Sequence, residues 1–249
     1  MKNLLKLTVA VMLTTLSLAE MARAQEDYPY YINRAGRKIK VQDLMANDQG
    51  DLKVAMEGGG TQTVRKSDYK FAYIPKPQQV ALLEQMFEQG AYDQLLQNVQ
   101  GVFDRYKYLG WGGLLYYMKG EAELAAGRAD TALRTLDLGV RFARDEDIEL
   151  INMAKAKALM ALGRNDELKK ILDQLKRAQS PEAAAFSFMA AGKLLAEQGQ
   201  NDEAILELLK TVLLFEPKGK LAVIHEDARK KLVELLKEKG DPSFKKFEK

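Results

Sequence analysis

LAAGRADTALRTL at residues 124–136 returns as MALGRNDELKKIL at 160–172 and as AEQGQNDEAILEL at 196–208. Aligned on their glycines, Gly127, Gly163 and Gly199 stand 36 residues apart, and a fainter copy, FEQGAYDQLLQNV, places Gly90 a further 37 residues upstream. Self-similarity at a fixed period of this size marks stacked supersecondary units. In each unit one apolar run precedes the glycine, as in Leu114, Leu115, Met118, Ala122 and Ala125. A second run follows it, as in Ala132, Leu133, Leu136 and Val140. Their i, i+3, i+4, i+7 spacing predicts two amphipathic helices. The glycine lies where the first helix ends and is free to take positive φ there. Asp130, Asp166 and Asp202 follow closely, placed either to cap the next helix or to meet the positive end of its dipole.

This pattern resembles the tetratricopeptide repeat (TPR) family. Gly192 and Ala204 fall at the small-residue positions that let paired helices approach, and Pro217 stands at the end of the second helix; Gly120 and Ala132 do the same one copy earlier but one. The copy around Gly163 keeps Ala156 but has Leu168, and the copy around Gly90 has Leu83 and Leu95. Two units therefore match well and two are degenerate, and the period exceeds the family's usual length of about 34. The resemblance implies a mainly α fold, a TPR-like α-solenoid of about four hairpins over residues 78–217. One hairpin cannot bury its stripe alone, so stacked neighbours form the core and terminal units need a polar cover. HEDARKKLVELLKEKG, with Ala228, Leu232, Leu235 and Leu236 as a narrow stripe, reads as a capping helix within residues 218–249, and DPSFKKFEK as a frayed tail.

Residues 25–77 read differently. RKIKVQDL alternates Ile39 and Val41 with Lys38 and Lys40, and DLKVAME alternates Leu52, Val54 and Met56 with Lys53 and Ala55. Period two predicts half-buried strands, NDQG and GGG mark turns, and TQTV and YKFAYI supply two further strands. The order resembles small antiparallel SH3-like modules found in bacterial envelope proteins. Tyr28, Tyr30 and Tyr31 just ahead either pack across this sheet or form a lead-in.

Residues 1–24 have the layout of a signal peptide: Lys2 and Lys6, an apolar run from Leu7 to Ala19, then Ala22-Arg23-Ala24. The run is shorter than the roughly 20 residues needed to span a bilayer, so no transmembrane span is expected after cleavage. Loss of Lys2, Lys6 and Arg23 against Glu20 lowers the formal charge of +3 by two, which leaves no electrostatic footprint for nucleic acid. The chain has no cysteine, so lipid attachment through a processed cysteine is excluded and an oxidising compartment changes nothing in the fold. Export to the periplasm or cell envelope, or secretion, is the expected location.

Catalytic sets leave residue requirements. With one histidine, His225, and no cysteine, neither a zinc site nor a Ser-His-Asp arrangement is expected. Gly58-Gly59-Gly60 lacks the Lys-Ser/Thr of a phosphate loop and reads as a hairpin turn. RDEDIE at 144–149 lacks the spacing of a calcium loop and reads as solvated capping charge. No catalytic residue, metal or cofactor is assigned.

What remains is a surface. In the TPR family the first helix of each hairpin faces a concave groove, and the resemblance places Tyr117, Glu121, Met153, Lys157, Met160, Phe186, Met189 and Lys193 along it. Methionine and aromatic side chains with flanking lysines suit an amphipathic or extended segment, and the same stripe also suits a core. The paired Lys and Asn that some repeat proteins use to clamp a terminal carboxylate are replaced by Tyr117 and Glu121. Trp111 either packs between the first two hairpins or meets a partner. The expected function is a non-catalytic scaffold that binds a protein or peptide partner in the groove. The alternative gives binding of a cell-wall glycan or peptide to the β segment, through Tyr28, Tyr30, Tyr31, Tyr69 and Tyr73, with the repeats as spacer or oligomer contact.

Overall fold

The computed structural model describes residues 27–248, so the expected signal peptide lies outside the described residues. The chain divides into two compact units at Pro77/Gln78.

The first unit holds two three-stranded antiparallel sheets. One has the order β2(Lys38–Lys40)-β1(Tyr30–Asn33)-β6(Tyr69–Tyr73), the other β3(Asp43–Ala46)-β4(Leu52–Ala55)-β5(Thr61–Val64). Alternation works as expected in β4, where Leu52 and Val54 are buried and Lys53 is exposed. Two strands escaped the sequence reading. YYIN and DLMA show no apolar–polar alternation, and their pairing with β6 and β4 makes them strands. Gly58-Gly59-Gly60 is the β4–β5 turn, with Gly59 and Gly60 both at φ +86°. The Asn47 side-chain oxygen accepts from the backbone N–H groups of Gln49 and Asp51, and the Tyr69 hydroxyl donates to the carbonyl of Gly50 at 2.5 Å, which ties the β3–β4 turn to β6.

The second unit is helical: α1(Gln78–Glu88), α2(Tyr92–Tyr106), α3(Gly112–Ala125), α4(Ala129–Gly139), α5(Asp145–Ala161), α6(Asn165–Leu175), α7(Pro181–Glu197), α8(Asn201–Leu214) and α9(Leu221–Glu238). The quoted phrase is the α3–α4 turn. Gly127 sits at φ +72°, its N–H bonds the Leu124 carbonyl, and the Arg128 N–H reaches back to Glu123. This pair of bonds is a Schellman motif, which satisfies carbonyls the helix end leaves orphaned. The same two bonds recur at Gly90, Gly163 and Gly199. Asp130, Asp166 and Asp202 stand in the first turns of α4, α6 and α8, while Arg128, Arg164 and Gln200 hold the cap positions without side-chain cap bonds. The aspartates therefore act on the helix dipole.

Three expectations are corrected at the ends and junctions. Gly240, at φ +71°, carries a fifth Schellman turn, and the tail expected to fray forms a 3-10 turn at Pro242–Lys246. Phe244 and Phe247 pack on the core, the Asp241 side chain accepts from the Ser243 N–H at 2.9 Å, and Arg229 donates to the Phe247 carbonyl at 2.6 Å. Asp147, read as solvated, is buried and accepts from the Arg144 backbone N–H at 3.1 Å to close the start of α5. The second helix of the last repeat ends at Leu214, before Pro217 is reached. Trp111 is buried at the kink between α2 and α3, where Gly110 has φ +86°, and the Arg144 guanidinium lies 5.3 Å from the indole.

Helices pack on their sequence neighbours, and α1 on α3, α3 on α5, α5 on α7 and α7 on α9. One hydrophobic cluster runs from Leu133 in α4 to Leu236 in α9 and includes all four residues expected of the capping stripe.

Candidate functional site

The eight residues that the repeat resemblance singles out lie on α3, α5 and α7. Tyr117 is half-buried, with its ring 5.7 Å from that of Phe87. Burial, then the Glu121 carboxylate and Tyr92, push its hydroxyl well above the ordinary tyrosine range. Met153 and Met160 are half-buried against the main core cluster, each with part of its surface open.

Phe186 and Met189 do not line an open groove. They are 5% and 6% exposed and belong to the core cluster. Their helix, α7, is wrapped by α5, α6, α8 and α9, which leaves little free arc on its surface. An apolar stripe on a first helix fits either a core or a ligand face, and here neighbouring helices decide for the core.

Glu121 and Lys157 pair with each other between α3 and α5, and Lys193 of α7 pairs with Asp227 of α9. Lys157 Nζ donates to Glu121 Oε1 at 2.7 Å, and Lys193 Nζ to Asp227 Oδ2 at 2.5 Å. Glu121 is 15% exposed and Lys157 46%, so the lysine has surface left for a second acceptor while the carboxylate is largely committed. Lys155 adds a brace to Asp137 at 2.6 Å. Exposed pairs contribute about 0–1 kcal/mol each, so these contacts add little to the stability of the unit. His225 falls one period after Met189 on α9 and its Nε2 lies 3.1 Å from the Val212 carbonyl.

In the β unit, Tyr31, Tyr69 and Tyr73 are buried, so three of the five tyrosines considered for sugar contact are packing residues. Tyr28, Tyr30 and Phe71 are half-buried and adjacent, with Tyr30 centred 6.1 Å from each of the other two. Lys38 Nζ lies 4.0 Å above Tyr30 and Lys40 Nζ 4.9 Å above Tyr28. Burial, then the neighbouring Arg34, hold the Lys66 amine below the usual lysine range.

Sequence reasoning missed the outward side of α8, where Leu206, Leu213 and Leu214 are exposed. The signal was present: NDEAILELLKTVLLF carries more apolar residues than a single core-facing stripe requires. Among the described residues no group of three His, Cys, Asp or Glu could hold a metal ion, and no helix is long and apolar enough to cross a membrane. No family model matches the chain, and no match is found among curated proteins or solved structures.

Proposed function

We propose that the chain is a non-catalytic interaction scaffold of the periplasm or cell envelope. In this reading the helical unit is a TPR-like α-solenoid that holds a protein or peptide segment against its first-helix face, and the β unit is an SH3-like module that orients it. The observation that carries the reading is the 36-residue recurrence of one hairpin, with each first helix packed on the next. Such stacking makes one continuous surface from equivalent positions. Tyr117, Met153 and Met160 offer adaptable apolar area there, and Lys157 offers a cation half open to water. The test is a pull-down from envelope extract with the full chain and with Tyr117→Ala/Met153→Ala/Met160→Ala/Lys157→Glu, after circular dichroism shows equal helix content. A partner captured by the first and lost by the second is expected; equal capture by both rejects the groove. Phe186 and Met189 stay intact, since their truncation would open the core.

The β-unit cluster supports a second reading, in which it binds cell-wall glycan or peptide. Sugars stack on ring faces, and Tyr28, Tyr30 and Phe71 sit together beside the ammonium groups of Lys38 and Lys40. Co-sedimentation with purified cell wall that falls in Tyr28→Ala/Tyr30→Ala would favour it, and unchanged co-sedimentation would remove it.

A further inference from the structure

Each glycine turn is followed by an element that starts two residues on: α2 at Tyr92, α4 at Ala129, α6 at Asn165 and α8 at Asn201, after Gly90, Gly127, Gly163 and Gly199. The fifth turn keeps that spacing. After Gly240 the chain enters the 3-10 turn at Pro242, which packs on α9 in the chain position of a second helix. Each of the four second helices has a leucine at 0% exposure, Leu95, Leu136, Leu168 or Leu208, whereas this turn buries no residue.

The segment 241–248 is held instead by a few separable contacts. Phe244 and Phe247 are half-buried and rest on the core cluster that contains Leu232 and Leu236 of α9. Arg229 Nη1 donates to the Phe247 carbonyl at 2.6 Å. The guanidinium is braced from behind, because Glu226 accepts from its Nε and Nη2 at 2.9 Å each. Lys237 Nζ lies 5.2 Å from the centre of the Phe244 ring and 2.6 Å from Glu248 Oε1. Helix α9 thus offers two apolar seats three residues apart, a fixed donor for a main-chain carbonyl and an ammonium for the carboxylate that follows. Those are the parts of a peptide-binding site, and the segment seated there states what it takes. We propose that α9 carries a peptide-docking site which residues 241–248 occupy as an internal strap, and that an aromatic-x-x-aromatic-acidic segment of another protein displaces the strap. Release frees two half-buried rings and leaves the four hairpins untouched, so it is a local opening rather than an unfolding of the unit. The tethered strap has the advantage of proximity, which keeps the site shut until a partner with stronger anchors or higher concentration arrives.

Fluorescence anisotropy with a labelled synthetic peptide of residues 240–248 tests this. The receptor is the full chain with Phe244→Ala/Phe247→Ala, which releases the strap and keeps the sequence of α9. Expected is saturable binding at least tenfold tighter than to the unaltered chain, whose own strap competes. Arg229→Ala in the released chain should weaken binding by about tenfold, and a peptide with both phenylalanines changed to alanine should not bind. Equal binding by both chains overturns the proposal, as does no binding by a released chain of unchanged circular dichroism. Hydrogen exchange on the unaltered chain supplies a check that does not depend on how the variant folds. Excess peptide should speed exchange of the Ser243 and Phe247 amides, which bond Asp241 Oδ1 and the Phe244 carbonyl in the seated strap, and unchanged rates overturn the proposal. Dimers of the unaltered chain that trade straps would overturn the choice of a separate partner.

Discussion

The hairpins α3/α4 and α7/α8 carry Ala132 and Ala204 where α1/α2 and α5/α6 have Leu95 and Leu168, and they differ again at a pair of positions sixteen residues apart. In the first two the pair is Gly120 with Leu136 and Gly192 with Leu208, and a methyl group placed on either glycine would stand 2.6 Å from the leucine. In the others it is Leu83 with Val99 and Ala156 with Leu172, all of them buried. The glycine hairpins pack more extensively on themselves than the other two. All four nevertheless end their first helix in the same Schellman turn. Turn chemistry therefore makes the hairpin, and the size of the residues where its arms meet sets how closely they approach.

That contrast can be broken most severely at the glycines. Gly192→Leu should cost about 3 kcal/mol or more, because overpacking forces Leu208 and its neighbours out of their rotamers. Leu208→Ala in the same chain should recover part of the loss, and chemical denaturation of the single and double variants checks both. In the alanine hairpin, Ala156→Gly removes only a methyl group and some helix propensity, for about 1 kcal/mol.

The shared turn predicts a smaller, uniform effect. Gly90, Gly127, Gly163 and Gly199 have positive φ and open space around a notional Cβ, so conformation alone opposes substitution. Gly163→Ala should cost about 1–2 kcal/mol, with the same value at Gly127, and denaturant midpoints would show whether the degenerate hairpin differs.

Equivalent positions also differ in titration. Tyr117 of a glycine hairpin has its hydroxyl pKa raised by burial, whereas the alanine hairpin has Met153 one period on. The sign is fixed by linkage: above the ordinary tyrosine pKa of 10.0 the unfolded chain loses a proton that the folded chain keeps. The stabilisation is full below pH 10 and is lost as pH rises towards the folded value. Tyr117→Phe should therefore lessen the alkaline loss by about 1 kcal/mol at pH 11, while Met153→Leu leaves the alkaline limb unchanged. Smallest of all, Asp166→Asn should weaken α6 by about 0.5 kcal/mol through its dipole, an effect that salt reduces.

Much of the helical unit was legible because its signals are local. A glycine between two periodic runs names a turn, and Ala228, Leu232, Leu235 and Leu236 name a buried stripe without reference to what covers them. The surroundings of the singled-out residues on α3, α5 and α7 were legible only in outline. Glu121 and Lys157 are 36 residues apart in the chain, and nothing in either position announces that they satisfy each other. Phe186 and Met189 carry the same residue chemistry as Met153 and Met160, and their burial depends on how many helices surround α7. In the β unit, YYIN and DLMA lack the apolar–polar alternation that marks β4, so β1 and β3 emerged only from their partners.

The amino-acid sequence by itself determined the hairpin period, the position of each reversal and the two-unit composition, because helix periodicity, positive-φ glycine and strand alternation act over a few residues. Tertiary structure alone decided which apolar residues are core, which charges neutralise one another and that, among the described residues, Leu206, Leu213 and Leu214 of α8 are exposed. Those outcomes depend on contacts between residues tens of positions apart, whose burial no local pattern encodes.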